Sequence, residues 1–487
     1  MTPTHRLPSP VGRQVLWIVC SIVLCFAVPA WLFQATGGAL NHKNPWWALS
    51  IIVVSGAAYA GVVASRRRQL FAMVLWLFTY IFVGMAPYVQ YRLERVPGTT
   101  PYVDEEFYPG VGLLIFTCCV AVLIGNLLAA KSQGPATTMR STRVDPLRAH
   151  LLTLGGAVLF MYYGSRVGFS SFLLSRHELD VVRASVWPDF TVAQIMTAAL
   201  QMGLLVGFVA QMGLREQCKA AGVKPRLWLA VLNGALLLYV VNPVSTPRYI
   251  FGTAALAMLA TFGAYASINR FRVMAAAAMV GMVIIFPLAD LFRRSTDVTF
   301  DAEGPVSSLA SGDFDAYVQM ANTFDFVSHH GITYGQQLLG VMFLWVPRGV
   351  WESKPVATGA LLADHMGYDF TNLSAPIWAE LFINFGWPLT VIGMGLVGYL
   401  FSRWDTLTDI YLKSSKMPPI VVTVVAFYLL IFLRGSLLAV TSFLLVILAA
   451  SLFVTYQTGR PATLSPQAVA ARLVAPKSIA CPIASRK

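Results

Sequence analysis

Long apolar runs, separated by short polar segments, recur along the whole chain. A helix needs ~20 apolar residues to cross the ~30 Å hydrocarbon core of a bilayer, and most of the runs have about that length. Lipid offers the backbone no hydrogen-bond partners, so such spans are helices. The pattern predicts about twelve membrane-spanning helices, at 14–34, 46–65, 70–90, 109–130, 149–165, 190–213, 227–243, 249–267, 273–292, 379–402, 418–434 and 436–456.

The composition agrees with a membrane protein. The chain is 57% hydrophobic and only 12% charged over 487 residues, which leaves too little polar surface for a soluble globule. No stretch remains for a soluble domain, so we predict a single all-α polytopic membrane domain over 1–487. The first run follows Arg13 but lacks a small-residue cleavage site, which favours a retained helix over a signal peptide.

The charged residues indicate the orientation. If both termini are cytoplasmic, most of the 35 Lys and Arg residues lie in inner segments and most of the 22 acidic residues lie in outer ones. This distribution follows the positive-inside rule, with 457–487 as a cytoplasmic tail. The net charge of +13 then comes mainly from cytoplasmic Lys and Arg residues that face anionic lipid headgroups. Scattered basic residues without a recognised module argue against binding of nucleic acid.

No cofactor is predicted from the sequence. The six cysteines show neither a zinc spacing nor a disulfide framework, and the chain has no Walker A loop or dinucleotide fingerprint. The pair His329-His330 lacks a matching carboxylate spacing, so no metal is predicted there either.

Two predicted outer segments, 166–187 and 293–378, are longer than the other loops, and long ordered connections are usually functional. The first mixes apolar and charged residues as an amphipathic interfacial helix does, although a simple connector fits equally well. The second contains the apolar run Leu338 to Val346, which is too short to span. We predict a re-entrant or lid-like hairpin that returns Arg348 and Lys354 to the membrane surface.

Positive charge gathers on this predicted outer side. Arg348, Lys354 and the ring of Trp351 belong to the second long segment, whereas Arg248 and Arg434 each lie in a short outer turn. Guanidinium groups bind phosphate oxygens bidentately. Three arginines and a lysine on the same predicted side favour one shared anion site. For any single arginine, an interaction with lipid headgroups explains the position equally well.

Four short motifs lie in the second outer segment and the helix after it: Gly312-Asp313-Phe314-Asp315, Gly335-Gln336-Gln337-Leu338-Leu339-Gly340, Val346-Pro347-Arg348 through Trp351 to Lys354-Pro355, and Ala379-Glu380 through Asn384-Phe385-Gly386. Together they resemble the O-antigen polymerase family, the oligosaccharide repeat-unit polymerases of the bacterial inner membrane. The spacing of the third motif is the most specific part. The resemblance implies a GT-C-like bundle with an extracytoplasmic cap built from the two long outer segments.

The resemblance also implies a reaction. A growing glycan on undecaprenyl diphosphate is the donor, and a hydroxyl of a new lipid-linked repeat unit is the acceptor. Such a transfer needs cations at the departing diphosphate but no metal. The resemblance would assign that role to Arg348, Arg248, Arg434 and Lys354, with Trp351 against the glycan, and the role of general base to Glu380, Asp313 or His365. The expected partners are the lipid-linked oligosaccharide, the bilayer and a membrane protein that regulates chain length.

Two other functions remain open at this point. The first is a ligase that moves a finished glycan to another acceptor, and it would share the architecture. The second is a transporter or flippase of lipid-linked glycans, a class that commonly has internal repeats and charge near the midplane. In this chain the charge lies at the outer rim, which favours the enzyme.

Overall fold

The computed structural model describes residues 10–38, 43–132, 140–285, 306–346 and 348–461. Several predictions fall outside these residues: the end of the run 273–292, the start of the segment 293–378 with Arg293 and Arg294, Pro347 of the third motif, and most of the tail 457–487.

The described residues are mainly helical, as predicted. The α-helices run, in chain order, α1 Val11–Ala35, α2 Trp46–Ala64, α3 Leu70–Leu93, α4 Tyr108–Ser132, α5 Pro146–Val167, α6 Arg176–Val186, α7 Phe190–Ala220, α8 Trp228–Val240, α9 Arg248–Thr261, α10 Ile268–Val280, α11 Ala316–His330, α12 Gln336–Met342, α13 Thr358–Met366, α14 Ile377–Leu412, α15 Ile420–Arg434 and α16 Leu437–Val454.

Among the described helices, seven are long and apolar enough to cross a membrane: α1, α2, α3, α4, α7, α14 and α16. This confirms an all-α membrane bundle. Every predicted apolar run coincides with a helix over the residues that the structure describes, but α8, α9, α10 and α15 have only 13, 14, 13 and 15 residues. A count of about twelve spans therefore stays a prediction.

A two-stranded antiparallel sheet was not predicted. Strand β1, Arg140–Val144, pairs with β2, Thr455–Pro461, with Val144 opposite Thr455 and Thr142 opposite Gln457. The sequence shows no clear alternation at either strand, and their partners are more than 300 residues apart, so the pairing is a tertiary effect.

The chain divides into two compact units. The first comprises Met1–Ser132, Ser267–Thr406 and Leu429–Thr441, and the second comprises Gln133–Ala266, Leu407–Tyr428 and Ser442–Lys487. Each unit is described by itself, and the predicted single domain stays a prediction.

In the first unit, α3 is buried along nearly its whole length. A helix that is apolar on all sides is typical of such a central position. The helices α4 and α14 approach each other closely, because Gly125 and Gly398 have no side chain at their contact. A Cβ on Gly125 would lie 2.1 Å from the carbonyl oxygen of Gly395, and one on Gly398 would lie 2.3 Å from that of Val122.

The helix α14 is sharply kinked at Gly386, whose φ of 70° and ψ of −170° are accessible almost only to glycine. Pro388 follows inside the helix and cannot donate a backbone hydrogen bond. The Thr390 hydroxyl donates to the Gly386 carbonyl at 2.7 Å, which satisfies one of the groups that the kink releases. The part of α14 that precedes the kink carries Glu380 and Asn384 of the fourth motif.

The second unit contains the segment 166–187, which was predicted to lie on the outer side. It forms a short 3-10 turn, Phe169–Leu173, and then α6, which begins with a capping box between Ser175 and Glu178. The predicted helix is thus present, and its position in a membrane interface stays a prediction. In the same unit, the buried Gln211 on α7 donates to Thr153 of α5 at 2.9 Å.

Candidate functional site

The turn between α15 and α16 is the centre of a buried polar network in the first unit. Arg434, the last residue of α15, donates from Nε to the Asp313 carbonyl at 3.0 Å and from Nη2 to the Asp315 carboxylate at 2.9 Å. It also donates to the Gly312 carbonyl at 3.3 Å. The guanidinium therefore ties the first motif to the end of α15.

Asp315 extends this network to the chain before α14. Its carboxylate is buried and also accepts the Ser374 amide at 3.1 Å. Next to it, the Ala375 amide donates to the Arg434 carbonyl at 3.0 Å. A buried carboxylate is stable only when it is paired and hydrogen-bonded, and both conditions hold here.

Glu380 lies on the other side of the same turn and is only 2% exposed. Its Oε1 accepts the Leu437 amide at 2.8 Å and the Ser436 hydroxyl at 3.2 Å, and its Oε2 accepts the Thr358 hydroxyl at 2.9 Å. Leu437 begins α16, so this carboxylate caps the helix N-terminus from a distance. The same side chain joins the starts of α13, α14 and α16.

Asn384 connects the second motif to the fourth. Its Nδ2 donates to the Glu380 carbonyl at 2.7 Å, while its Oδ1 accepts the Thr333 hydroxyl at 3.1 Å and the Leu338 amide at 3.3 Å. The loop before α12 is therefore held against α14 directly before its kink.

The third motif folds back on itself. The buried Lys354 ammonium donates to the carbonyls of Leu344 and Val346 at 2.7 and 2.9 Å. The exposed Arg348 donates to the carbonyls of Lys354 and Pro355 at 2.8 and 3.2 Å. These two bonds use one N–H group of each terminal nitrogen of Arg348, and a guanidinium has five N–H groups in all. Arg348 thus combines exposure with capacity for a further ligand.

The segment around Arg348 exposes large apolar side chains. Trp345 is 64% exposed and Val350 is 80% exposed, and Leu339, Met342 and Phe343 are exposed as well. Gly340 lets α12 contact Pro355, since an added Cβ would lie 3.3 Å from the proline ring. An exposed apolar patch beside a cation is typical of a surface that contacts lipid.

The aromatic residues of the predicted site differ in accessibility. Tyr334 and Trp345 are exposed, and Trp351 is half-buried and donates to the Ser353 hydroxyl at 3.0 Å. Trp378 and Tyr368 are buried and cannot stack on a sugar. Burial raises the pKa of Tyr368 to about 12, so its hydroxyl stays protonated and donates to the carbonyl of Tyr102.

Arg248 belongs to the second unit, as the first residue of α9, and is half-buried. The turn before it is shaped by Asn242, whose Oδ1 accepts the amides of Val244 and Ser245, each at 3.0 Å. The structure thus gives Arg248 a defined turn, while its predicted role beside Arg348 and Arg434 stays a prediction.

His365, a candidate base, belongs to a cluster that the sequence analysis missed. Its Nε2 lies 2.8 Å from a carboxylate oxygen of Asp325, and its Nδ1 lies 3.2 Å from Nε2 of His330. The neglected signal was the spacing from Asp325 to His329, because residues four apart lie on one face of a helix. The position of α13 against α11 had no signal in the sequence.

The structure therefore brings the candidates together in three groups. Arg434, Glu380 and the backbone of Asp313 meet at the turn between α15 and α16, Arg348 and Lys354 form a second group, and His365 belongs to a third. The chain from Lys354 to Thr358 connects the first two groups. The chain matches no protein-family model, no curated protein and no solved structure, so the family resemblance rests on the four motifs alone.

Proposed function

We propose that this protein polymerises oligosaccharide repeat units carried on undecaprenyl diphosphate, at the outer face of a bacterial inner membrane. The proposal includes about twelve membrane spans, cytoplasmic termini and an outer cap formed by the segments 166–187 and 293–378. The product would be an O-antigen, capsular or exopolysaccharide chain.

The observation that carries the proposal is the convergence of the four motifs. Arg434 holds the first motif, Asn384 holds the second, and Glu380 of the fourth motif accepts from Thr358, which lies three residues after the end of the third. The first, second and fourth motifs thus meet in one hydrogen-bonded network, and the third joins it only through the chain from Lys354 to Thr358. Short motifs that match by chance have no reason to meet in this way. Their joint assembly supports the interpretation that they form one functional unit of the family.

Arg348 is the cation best suited to the donor diphosphate. It is exposed, and it directly follows a hairpin whose apolar side chains can contact the acyl region of the bilayer. A diphosphate on a lipid lies at that boundary. Lys354 is buried with its ammonium on two carbonyls, so we assign it the role of positioning Arg348 rather than binding the phosphate.

In the proposed transfer, the acceptor hydroxyl attacks the anomeric carbon of the donor glycan. A new glycosidic C–O bond forms as the bond to the diphosphate breaks. The electron pair leaves with undecaprenyl diphosphate, and the hydroxyl proton passes to a base. Arg348 stabilises the negative charge that accumulates on the leaving group, which lowers the barrier.

Three groups remain candidates for the base. Glu380 carries a carboxyl group but has almost no exposed surface. The turn between α15 and α16 would have to open before Glu380 could reach an acceptor. Asp313 is half-buried and lies directly beside the Arg434 turn. His365 carries an imidazole, the group that serves most often as a general base.

The test uses purified protein in liposomes that contain lipid-linked repeat units already facing the outside. The wild type is expected to produce a ladder of chain lengths, and Arg348→Ala is expected to lose it at an unchanged level of folded protein. Arg348→Lys should retain a minor part, because it keeps the charge but not the bidentate geometry. The matched control is Arg176→Ala on α6, which removes an exposed arginine elsewhere and should leave the ladder unchanged.

The same assay separates the alternatives. A ligase would consume preformed lipid-linked polymer and a second acceptor without any lengthening. A flippase would move repeat units across the bilayer without joining them. Either result from the wild type, or a normal ladder from Arg348→Ala, contradicts the mechanism proposed here.

A further inference from the structure

One carboxylate and three imidazoles gather between α11 and α13, apart from the turn of Arg434. Asp325 and His329 lie on α11, and His365 lies on α13. One ligand atom from each of these three residues lies within 4.8 Å of the other two. Neither Asp325 nor His329 has a part in the transfer proposed above.

The distances match those of a metal site. The Asp325 Oδ2 to His365 Nε2 distance is 2.8 Å, and the Asp325 Oδ1 to His329 Nδ1 distance is 3.4 Å. Two ligand atoms that each lie 2.0–2.1 Å from a tetrahedral zinc ion are ~3.4 Å apart. The Asp325–His329 pair already has this spacing, and the Asp325–His365 pair would have to separate by ~0.6 Å to admit an ion.

His330 supplies the partner that a metal-bound imidazole needs. Its Nε2 lies 3.2 Å from Nδ1 of His365. Histidine ligands usually use one nitrogen for the metal and the other N–H for a hydrogen bond, which sets the tautomer. With Nδ1–H of His365 donated to His330, the lone pair of His365 Nε2 is directed toward Asp325 and an ion.

Packing holds one of these ligands, His365, in place. Phe326 of α11, Leu362 of α13 and Ile383 of α14 form a small buried apolar cluster. The rings of His330 and His365 contact Phe326, with centroids 4.7 and 5.3 Å from it. Asp325 and His329 lie one helical turn apart on α11, beside this packed imidazole. His329 is mostly exposed and its Nδ1 lies 2.9 Å from the Asp325 carbonyl, so it would exchange that contact for the ion.

We propose that Asp325, His329 and His365 bind one divalent transition-metal ion, with Zn²⁺ as the ion whose ligand preferences fit best. Imidazole nitrogens favour zinc and its neighbours, whereas Mg²⁺ and Ca²⁺ require oxygen ligands. The side chains of Asp325 and His365 are 18% and 14% exposed, but that of His329 is 63% exposed. Solvent can therefore reach the site and fill a fourth position.

The bound ion would connect α11 to α13 and stabilise the part of the cap that these helices form. It would also occupy His365 Nε2, which leaves Asp313 and Glu380 as candidates for the base. The site goes beyond the polymerase proposal and does not depend on it, since metal binding is measured without any glycan.

The test is titration of the full-length protein in detergent, purified without a histidine tag, with Zn²⁺ or Co²⁺ alone. The wild type is expected to bind one ion, to give visible Co²⁺ absorption of a four-coordinate site, and to unfold at a higher temperature with Zn²⁺. His365→Ala and Asp325→Ala should lose all three effects. His330→Ala should bind ~10–100-fold more weakly, because it removes only the partner of a ligand.

Two further variants separate metal binding from folding. His329 is mostly exposed, so His329→Ala should fold normally and lose the ion, and His329→Cys should regain it with an added thiolate-to-Co²⁺ band. The control His177→Ala removes an exposed histidine of α6 and should bind like the wild type. Equal binding by His177→Ala and His329→Ala, or no stoichiometric binding by the wild type, would overturn the proposal.

Discussion

The two ends of α14 use a buried carboxylate in the same way but in different surroundings. At one end, Glu380 accepts the first amide of α16. At the other end, Asp405, which is 1% exposed, accepts the amides of Phe71 and Ala72 at 2.9 and 3.0 Å and so caps the start of α3. In both places an acid on one helix satisfies orphan amides of another.

The surroundings distinguish the two acids. The two bonds of Asp405 described above are to backbone amides, whereas Glu380 also accepts from the hydroxyls of Thr358 and Ser436. Thr358 begins α13, and Ser436 lies in the turn between α15 and α16. Both acids are buried, so burial alone does not make an acid within a membrane bundle a catalytic candidate, although such acids are often functional. Asp405, which caps α3, supplies a reference against which Glu380 can be judged.

Arg434→Ala should have the largest effect on stability. It leaves the buried Asp315 carboxylate without its guanidinium partner, and breaking a buried ion pair costs about 3–5 kcal/mol. The free energy of unfolding, measured by equilibrium denaturation in mixed micelles, should fall by that order. Asp315→Asn should lose less, and the double variant should lose less than the sum of both single losses. Strict additivity would show that the two side chains do not interact.

Glu380→Gln and Asp405→Asn form the central matched pair. Each substitution replaces a carboxylate oxygen with an NH₂ group that faces backbone N–H groups, and it removes the negative charge that strengthens the hydrogen bonds. Each variant should therefore lose ~1.5–3 kcal/mol of unfolding free energy. If Glu380 takes part in transfer, Glu380→Gln should lower polymer yield far more than its loss of folded protein explains. Asp405→Asn should lower the yield only in proportion to folded protein. Equal specific activity of the two variants would remove Glu380 from the chemistry.

Gly386→Ala should cost ~1–3 kcal/mol, because its φ of 70° and ψ of −170° are strained for any residue with a Cβ. The space around Gly386 is adequate, since the nearest atom to an added Cβ is a side-chain carbon of Ile332 at 3.7 Å. The loss should therefore come from the backbone rather than from a clash. Gly252→Ala on α9 is a suitable control, because a Cβ there meets nothing within 4 Å and should be neutral or slightly stabilising.

Thr358→Val should have the smallest effect, about 1 kcal/mol, through loss of one buried hydrogen bond to Glu380. Thr406→Val is its counterpart at the Asp405 end, where the hydroxyl donates to the Ser402 carbonyl of its own helix at 2.9 Å and accepts from the exposed Arg67 at 3.3 Å. Water can replace that bond, so Thr406→Val should lose less. A larger loss of unfolding free energy from Thr406→Val than from Thr358→Val would show that the Thr358–Glu380 hydrogen bond contributes little to stability.

Much of the helical framework could be predicted from the sequence. The run 46–65 became α2 at Trp46–Ala64, and the run 436–456 became α16 at Leu437–Val454. Hydrophobic runs predict such boundaries because each helix forms its backbone hydrogen bonds within its own segment. The strands β1 and β2 could not be predicted, since their hydrogen bonds depend on a partner far away in the sequence.

The sequence by itself determined the membrane class, the helices and the residue types that chemistry at a phosphate would use. These follow from local composition, because the bilayer selects apolar helices whatever their neighbours are. Only the tertiary structure decided that Arg434 holds Asp315, that Glu380 caps α16 and that Asp325 faces His365. The partner of a buried charge is set by packing between segments that are distant in the sequence. The pattern of residues along the chain does not show which of these segments lie side by side.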